Sequence, residues 1–258
     1  MPDWSYQTVF RPVLFRMPCE LARDVALGVP GRLARSAPGR RLIELLGHMA
    51  LDPKLALTVA GLSLDSPIGV GAGIDTRNVA IPALARFGFG VLEVGPVDLR
   101  QGQRPQRIKL DQASESVITD GTSQSCSTSE LRKRLATAGV DQPLLLRVML
   151  PVSPEQVDQT ALREVVDELL PIVDGLTICI EHDDSATATS SPSVPLAFAW
   201  LDQLRGQGVF KPFFGVFTPG TIEQAAIHQL ELDDDHQFAG LIVDGSRHTP
   251  TRTLQGAA

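Results

Sequence analysis

A chain of 258 residues, 43% of them hydrophobic, is long enough to bury a substantial core as one α/β barrel or two small domains. Its net charge of −7 argues against nucleic acid as the main partner, because phosphate binding depends on clustered Lys and Arg. Three scattered cysteines, Cys19, Cys126 and Cys179, have no metal-like spacing and no run approaches the roughly 18 apolar residues of a membrane span, so a reducing cytoplasmic setting is expected.

Residues 1–48 hold seven arginines against four acids, so this stretch is cationic and the rest strongly acidic. Within it Phe10, Leu14, Met17 and Leu21 recur at intervals of four, three and four. Residues 5–29 therefore read as two short helices, with Pro18 opening the second. An apolar stripe beside arginines either lies on an anionic membrane surface or covers the rest of the fold. Residues 30–41, rich in Pro, Gly, Arg and Ser, read as a linker, followed by a helix over 41–50. The expected organisation is a helical extension and linker over 1–50 and a second unit over 51–258.

From Val59 onward, strands are expected near 67–71, 91–94, 143–149, 175–180, 212–217 and 240–244. Helices are expected near 78–87, 129–138, 160–170, 194–206 and 221–230. Such alternation implies a parallel sheet covered on both faces. Ser66 to Gly95 is its best-defined portion and reads as a βαβ unit. Gly71 and Gly73 leave the backbone bare at the carboxyl end of its first strand, where barrels and doubly wound sheets place ligands. A tight strand-to-helix turn would use the same glycines.

Gly71-Ala72-Gly73-Ile74-Asp75, followed by Phe87-Gly88-Phe89-Gly90-Val91-Leu92-Glu93-Val94-Gly95, resembles the first βαβ unit of class 2 dihydroorotate dehydrogenases, which reads approximately NPxGLAAGxDK and then GFGxxExGTVTP. Upstream, Tyr6, Pro12, Leu14-Phe15 and Glu20–Ala22 follow the family's YxxxxxPxLFxxxPExAH pattern, and Val59-Ala60-Gly61-Leu62 matches its lead-in. The resemblance covers residues 6 to about 118 and thins afterwards. It implies a TIM-type (βα) barrel with an N-terminal helical extension, FMN as cofactor, oxidation of dihydroorotate to orotate in pyrimidine biosynthesis, and a quinone as electron acceptor. It also implies peripheral docking of residues 5–29 at the inner face of the cytoplasmic membrane. Six strands are expected against the family's eight, so the resemblance implies a longer parent protein, a partner chain that fills the gap, or a reorganised sheet with open edges.

Several family positions carry different residues here. The resemblance places Ala72, Gly73 and Gly95 at cofactor positions, with Pro96 where a flavin-contacting threonine is expected. The substrate positions fall on Thr76, in place of a lysine and beside Arg77, on Thr119, in place of an asparagine and beside Asp120, and on Asp184. Flavin-binding asparagine and lysine positions fall near Arg147 and Gly215, and the TNTT tetrad becomes Asp244-Gly245-Ser246-Arg247. The catalytic serine position falls on His182, in Cys179-Ile180-Glu181-His182-Asp183-Asp184, and imidazole is a competent base near neutral pH. A solvated loop of mixed charge has the same composition. Neither that loop nor Asp233-Asp234-Asp235-His236 has calcium or zinc spacing. Nothing beside Cys126 in the sequence marks it as a reactive thiol. Two readings follow: an FMN oxidoreductase acting on dihydroorotate or another small-molecule ligand, and a non-catalytic barrel kept as scaffold or binding module after its polar ligands changed.

Overall fold

The computed structural model describes residues 8, 11–47, 51–99, 107–111, 116–120, 126–151, 157–180, 202–206, 208–217 and 239–243. Three helices come first: α1 (Arg11–Leu14), α2 (Cys19–Leu33) and α3 (Ala37–Gly47). Pro18 occupies the N-cap of α2 and Pro30 lies within it. The linker expected over 30–41 is therefore helical apart from the short turn between α2 and α3. Tertiary packing overrides the proline signal: Gly31 lies so close to the strand-to-helix loop that an added Cβ would overlap the Val79 carbonyl. Ala34 and Ile43 bury themselves with Ala83 and Phe87. Ion pairs Arg77–Asp24 (2.6 Å) and Arg86–Glu44 (3.0 Å) complete the attachment.

A hairpin of β1 (Leu57–Val59) and β2 (Leu62–Leu64) follows, which the sequence reading did not anticipate. Its turn residues Ala60 and Gly61 both have positive φ, 51° and 79°, as a two-residue turn matched to strand twist requires. The principal sheet then begins with β3 (Gly69–Val70), α4 (Ile81–Leu84) and β4 (Val91–Asp98). Next come a second hairpin, β5 (Arg107–Asp111) with β6 (Ser116–Asp120), then α5 (Thr128–Ala138) and β7 (Leu144–Leu150). The chain goes on through α6 (Gln159–Glu164) to β8 (Gly175–Ile180), β9 (Phe213–Phe217) and β10 (Gly240–Val243).

The six strands expected for the barrel portion form one sheet in the order β10-β9-β8-β7-β4-β3, and every pairing is parallel. Among the described residues β3 and β10 are its edges. The architecture is α/β, an incomplete barrel of the TIM type. Helix α4 is shorter than the expected 78–87, because the loop before it is held in a polar arrangement described below. The helix expected over 194–206 is seen only at 202–206, and that expected over 221–230 lies outside the described residues.

Local signals explain the helix ends. Ser127 caps α5 by accepting from the Glu130 N–H, and Gly139 closes it at φ +58°. Asp158 caps α6 through the N–H groups of Thr160 and Ala161, and the helix runs on through a π turn, Val165–Leu169, to a 3-10 turn at Pro171. One face of the sheet packs on the helices. Leu92 and Val94 of β4, Leu146 and Val148 of β7, and Leu176 and Ile178 of β8 pack with Leu131 and Leu135 of α5 and Leu162 and Leu169 of α6. Each buried Leu or Ile contributes about 1.5–3 kcal/mol. The alternate residues of the same strands project to the other face and build the candidate site.

Candidate functional site

On β4, β7 and β8 the residues facing away from the helices include Glu93, Arg147 and Thr177, and the last two are register partners. A charged residue on an otherwise apolar strand needs a partner. Glu93 has three. Its carboxylate accepts from Arg147 Nε at 2.8 Å, from Thr177 Oγ1 at 2.5 Å and from the Ala72 N–H at 2.8 Å. The side chains of Glu93 and Arg147 are only 8% and 17% exposed, and Thr177 is fully buried. The carboxylate thus ties the glycine-rich turn after β3 to the middle of the sheet.

A second cluster supports the same turn. The β4–β7 register shifts between Val94 and Val97, so β4 carries one extra residue there. A bulge leaves a backbone N–H and C=O outside the ladder. Asn78 satisfies both, its Oδ1 accepting from the Gly95 N–H at 2.9 Å and its Nδ2 donating to the Gly95 carbonyl at 3.1 Å. Asn78 sits at φ 54°, a left-handed conformation that asparagine tolerates. Gly95, at φ +104°, presses on β7, where an added Cβ would lie 2.9 Å from the Arg147 carbonyl. The Gly95–Pro96 peptide bond is cis.

Asp75 is buried beside this cluster, with Oδ2 accepting from the Ala80 N–H at 2.6 Å and Oδ1 without a hydrogen-bond partner among the described residues. Burial pushes its carboxyl above the ordinary aspartate range, opposed by the N–H groups of Ala80 and Val79 and by the charges of Arg134 and Arg23. Cys126 is buried as well. Burial raises its thiol pKa, while Arg134, whose NH1 lies 3.8 Å from Sγ, pulls the other way.

Of the positions singled out in the sequence, Ala72, Gly73, Gly95 and Thr76 gather at the carboxyl ends of β3 and β4. Ala72 is buried and Gly73 is open, with nothing near where a Cβ would stand. Thr76 is buried and its hydroxyl has no partner among the described residues. Thr119 lies on β6 opposite Ile108 of β5. His182 and Asp184 lie outside the described residues, as does the 233–236 cluster, and no group of metal-ligating side chains occurs among the described residues. Sequence reasoning missed Glu93, Asn78 and Thr177. The available signal was a carboxylate at an inward position of VLEV, matched by a cation at an inward position of LLLRVML.

The fold, a parallel strand–helix alternation with polar residues gathered at the carboxyl ends, defines a protein of the (βα)-barrel class. No protein-family model matches the chain. Curated relatives do. The quinone-type dihydroorotate dehydrogenase of Chloroflexus aurantiacus is 30% identical over 171 residues, which is 63% of this chain and 45% of the relative. That of Methylococcus capsulatus is 34% identical over 115 residues, 43% of this chain and 32% of the relative. Solved structures agree on fold. The dihydroorotate dehydrogenase of Eimeria tenella in complex with ferulenol aligns with a TM-score of 0.54 at 19% identity, over 86% of this chain and 69% of that one. Its ligand-free form gives 0.52 at 18%, over 84% and 72%. In sequence the chain is similar to class 2, quinone-type dihydroorotate dehydrogenases, and it spans less than half the length of these curated relatives.

Family resemblance implies FMN; of the described positions assigned to it Gly73 is open, while others are engaged or lack a side-chain donor. The Ala72 N–H is already engaged by Glu93, both backbone polar groups of Gly95 are engaged by Asn78, Pro96 has no N–H, and Gly215 has no side chain. A flavin contact to the Ala72 or Gly95 N–H would have to displace a buried hydrogen bond, at a cost of about 1–3 kcal/mol each, whereas the Gly95 carbonyl keeps a second lone pair.

Proposed function

We propose that this chain is a dihydroorotate dehydrogenase-like barrel that keeps the family's fold and serves as a scaffold or binding module, without FMN-dependent oxidation of dihydroorotate. The single observation that carries this reading is the change of family ligands at described positions: Thr76 stands where the family has a lysine, and Pro96 where it has a flavin-contacting threonine. The Glu93 carboxylate, which the family's motif also carries, ties the glycine turn to the sheet and serves stability. The exposed apolar residues Val13, Phe15 and Leu21 of the first two helices support peripheral contact with a membrane or partner. Among the described residues no helix is long and apolar enough to cross a membrane.

A second reading is supported by the kinship itself and by the retained Gly71-Ala72-Gly73 turn: an FMN enzyme that oxidises dihydroorotate or a related ring and passes electrons to a quinone. The two separate in one assay. Purified chain with excess FMN, dihydroorotate and a soluble quinone is expected to give no dihydroorotate-dependent quinone reduction, alongside an active quinone-type dihydroorotate dehydrogenase as positive control. Turnover in proportion to protein would establish the enzyme reading.

A further inference from the structure

A cleft of about 760 Å³ opens at the opposite end of the sheet from Ala72 and Gly95. Its walls come from the α2–α3 turn, the segment after α4 that leads into β4, and the second half of α5, which leads into β7. Five cations, Arg35, Arg40, Arg86, Lys133 and Arg134, line it with one carboxylate, Glu130. The chain is acidic as a whole, so this concentration of positive charge runs against its composition.

Internal partners account for only part of that charge. Glu130 pairs with Arg134 and Glu44 with Arg86. Arg40 donates to the carbonyls of Ala34 and Arg35, at 3.5 and 3.4 Å, where α2 ends. Arg35 and Lys133 are exposed and have no ion pair among the described residues. Two carboxylates against five cations leave three positive charges, and the carboxyl ends of α2 and α5 offset about half a charge each. About two remain, the complement of a phosphate monoester, which carries about −1.5 to −2 at neutral pH. The Nε of Arg86 adds an independent sign: it is a buried donor with no acceptor among the described residues, and such a group is expected to find one. The volume also lies within the roughly 300–1,000 Å³ of small-molecule sites.

We propose that this cleft binds the phosphate monoester of a small ligand, with Arg35 and Lys133 supplying charge and Arg86 a directed hydrogen bond. The same chemistry is offered by a soluble phosphorylated metabolite and by a phosphatidic acid headgroup. The proposal is independent of whether the barrel mouth holds a flavin.

Titration calorimetry of the whole chain with inorganic phosphate, against chloride at equal ionic strength, tests it, together with flotation on phosphatidylcholine vesicles with and without phosphatidic acid. Saturable phosphate binding is expected, weakened about tenfold in Arg35→Glu/Lys133→Glu, two exposed sites whose change leaves the thermal melt in place. Arg86→Lys keeps the charge but moves the donor and is expected to weaken binding about threefold. Binding of phosphate in solution assigns a soluble ligand; flotation that requires phosphatidic acid and is abolished by the double reversal assigns the headgroup. Absence of both, or binding unchanged in the double reversal, overturns the proposal.

Discussion

Removing Glu93 should be among the most damaging single changes in this chain. Glu93→Leu removes the carboxylate that pairs with the Arg147 guanidinium in a site where that side chain is only 17% exposed, and takes the Glu93 acceptor from the Ala72 N–H and the Thr177 hydroxyl. Breaking a buried pair from one side costs about 3–5 kcal/mol. The residual exposure of Arg147 lets water share the load, so about 3 kcal/mol is expected, a fall in melting temperature of about 6–12 °C for a chain of this length. Arg147→Met should cost less, about 2 kcal/mol, because the carboxylate keeps two donors. Replacing both, as Glu93→Leu/Arg147→Met, removes the two charges together, so the double variant should lie well above the sum of the singles, with a coupling of about 2 kcal/mol. Urea denaturation followed by circular dichroism on all four proteins gives the cycle. Single-variant losses below about 1 kcal/mol, or additive losses, would refute the view that this carboxylate is a buried organising group.

Asn78→Ala leaves the Gly95 N–H and carbonyl unpaired and should cost about 3 kcal/mol, read by thermal melting. Asp75 has a raised pKa through burial, so its contribution to stability is fully present below the ordinary aspartate value and lost as pH rises through the folded value. Asp75→Asn, which keeps an acceptor for the Ala80 N–H, should therefore gain stability relative to the parent as pH rises from 4 to 8; a pH-independent difference in urea midpoints would contradict this. Gly31→Val drives a side chain into the Val79 carbonyl and should destabilise by about 1–3 kcal/mol, in contrast to a neutral change at exposed Val29. Phe15→Ser/Leu21→Ser should reduce flotation on anionic vesicles if the exposed apolar residues of α1 and α2 meet a membrane; equal flotation would assign contact elsewhere.

The sheet was legible because its strands carry apolar residues on both faces, and β8 in particular lies at the expected 175–180. Helix α5, expected near 129–138, lies at Thr128–Ala138, with Ser127 as its cap and Gly139 as its stop. The 30–41 segment was not, since Pro30 and Gly31 signal a break locally while the packing of Gly31 on Val79 decides the outcome from a distance of many residues. The hairpin at Ala60-Gly61 shows the same limit from the other side: one glycine was read as part of a lead-in motif, and its partner, alanine, rarely announces a left-handed turn. The site divides likewise. Glycine spacing located the mouth, at Ala72, Gly73 and Gly95, but the partnership of Glu93 with Arg147, 54 residues apart, exists only through strand order. Asn78 acts on a bulge, and a register shift has no signature in a single strand.

The central claim, that this barrel has given up the family's flavin, is tested most directly by the visible spectrum of the purified chain followed by FMN titration watched through flavin fluorescence. A colourless protein that leaves FMN fluorescence unquenched at micromolar concentrations is the expected result. A flavin absorption band that copurifies, or saturable stoichiometric quenching, would contradict it and show that the mouth accommodates FMN despite the engaged Ala72 and Gly95 backbone groups.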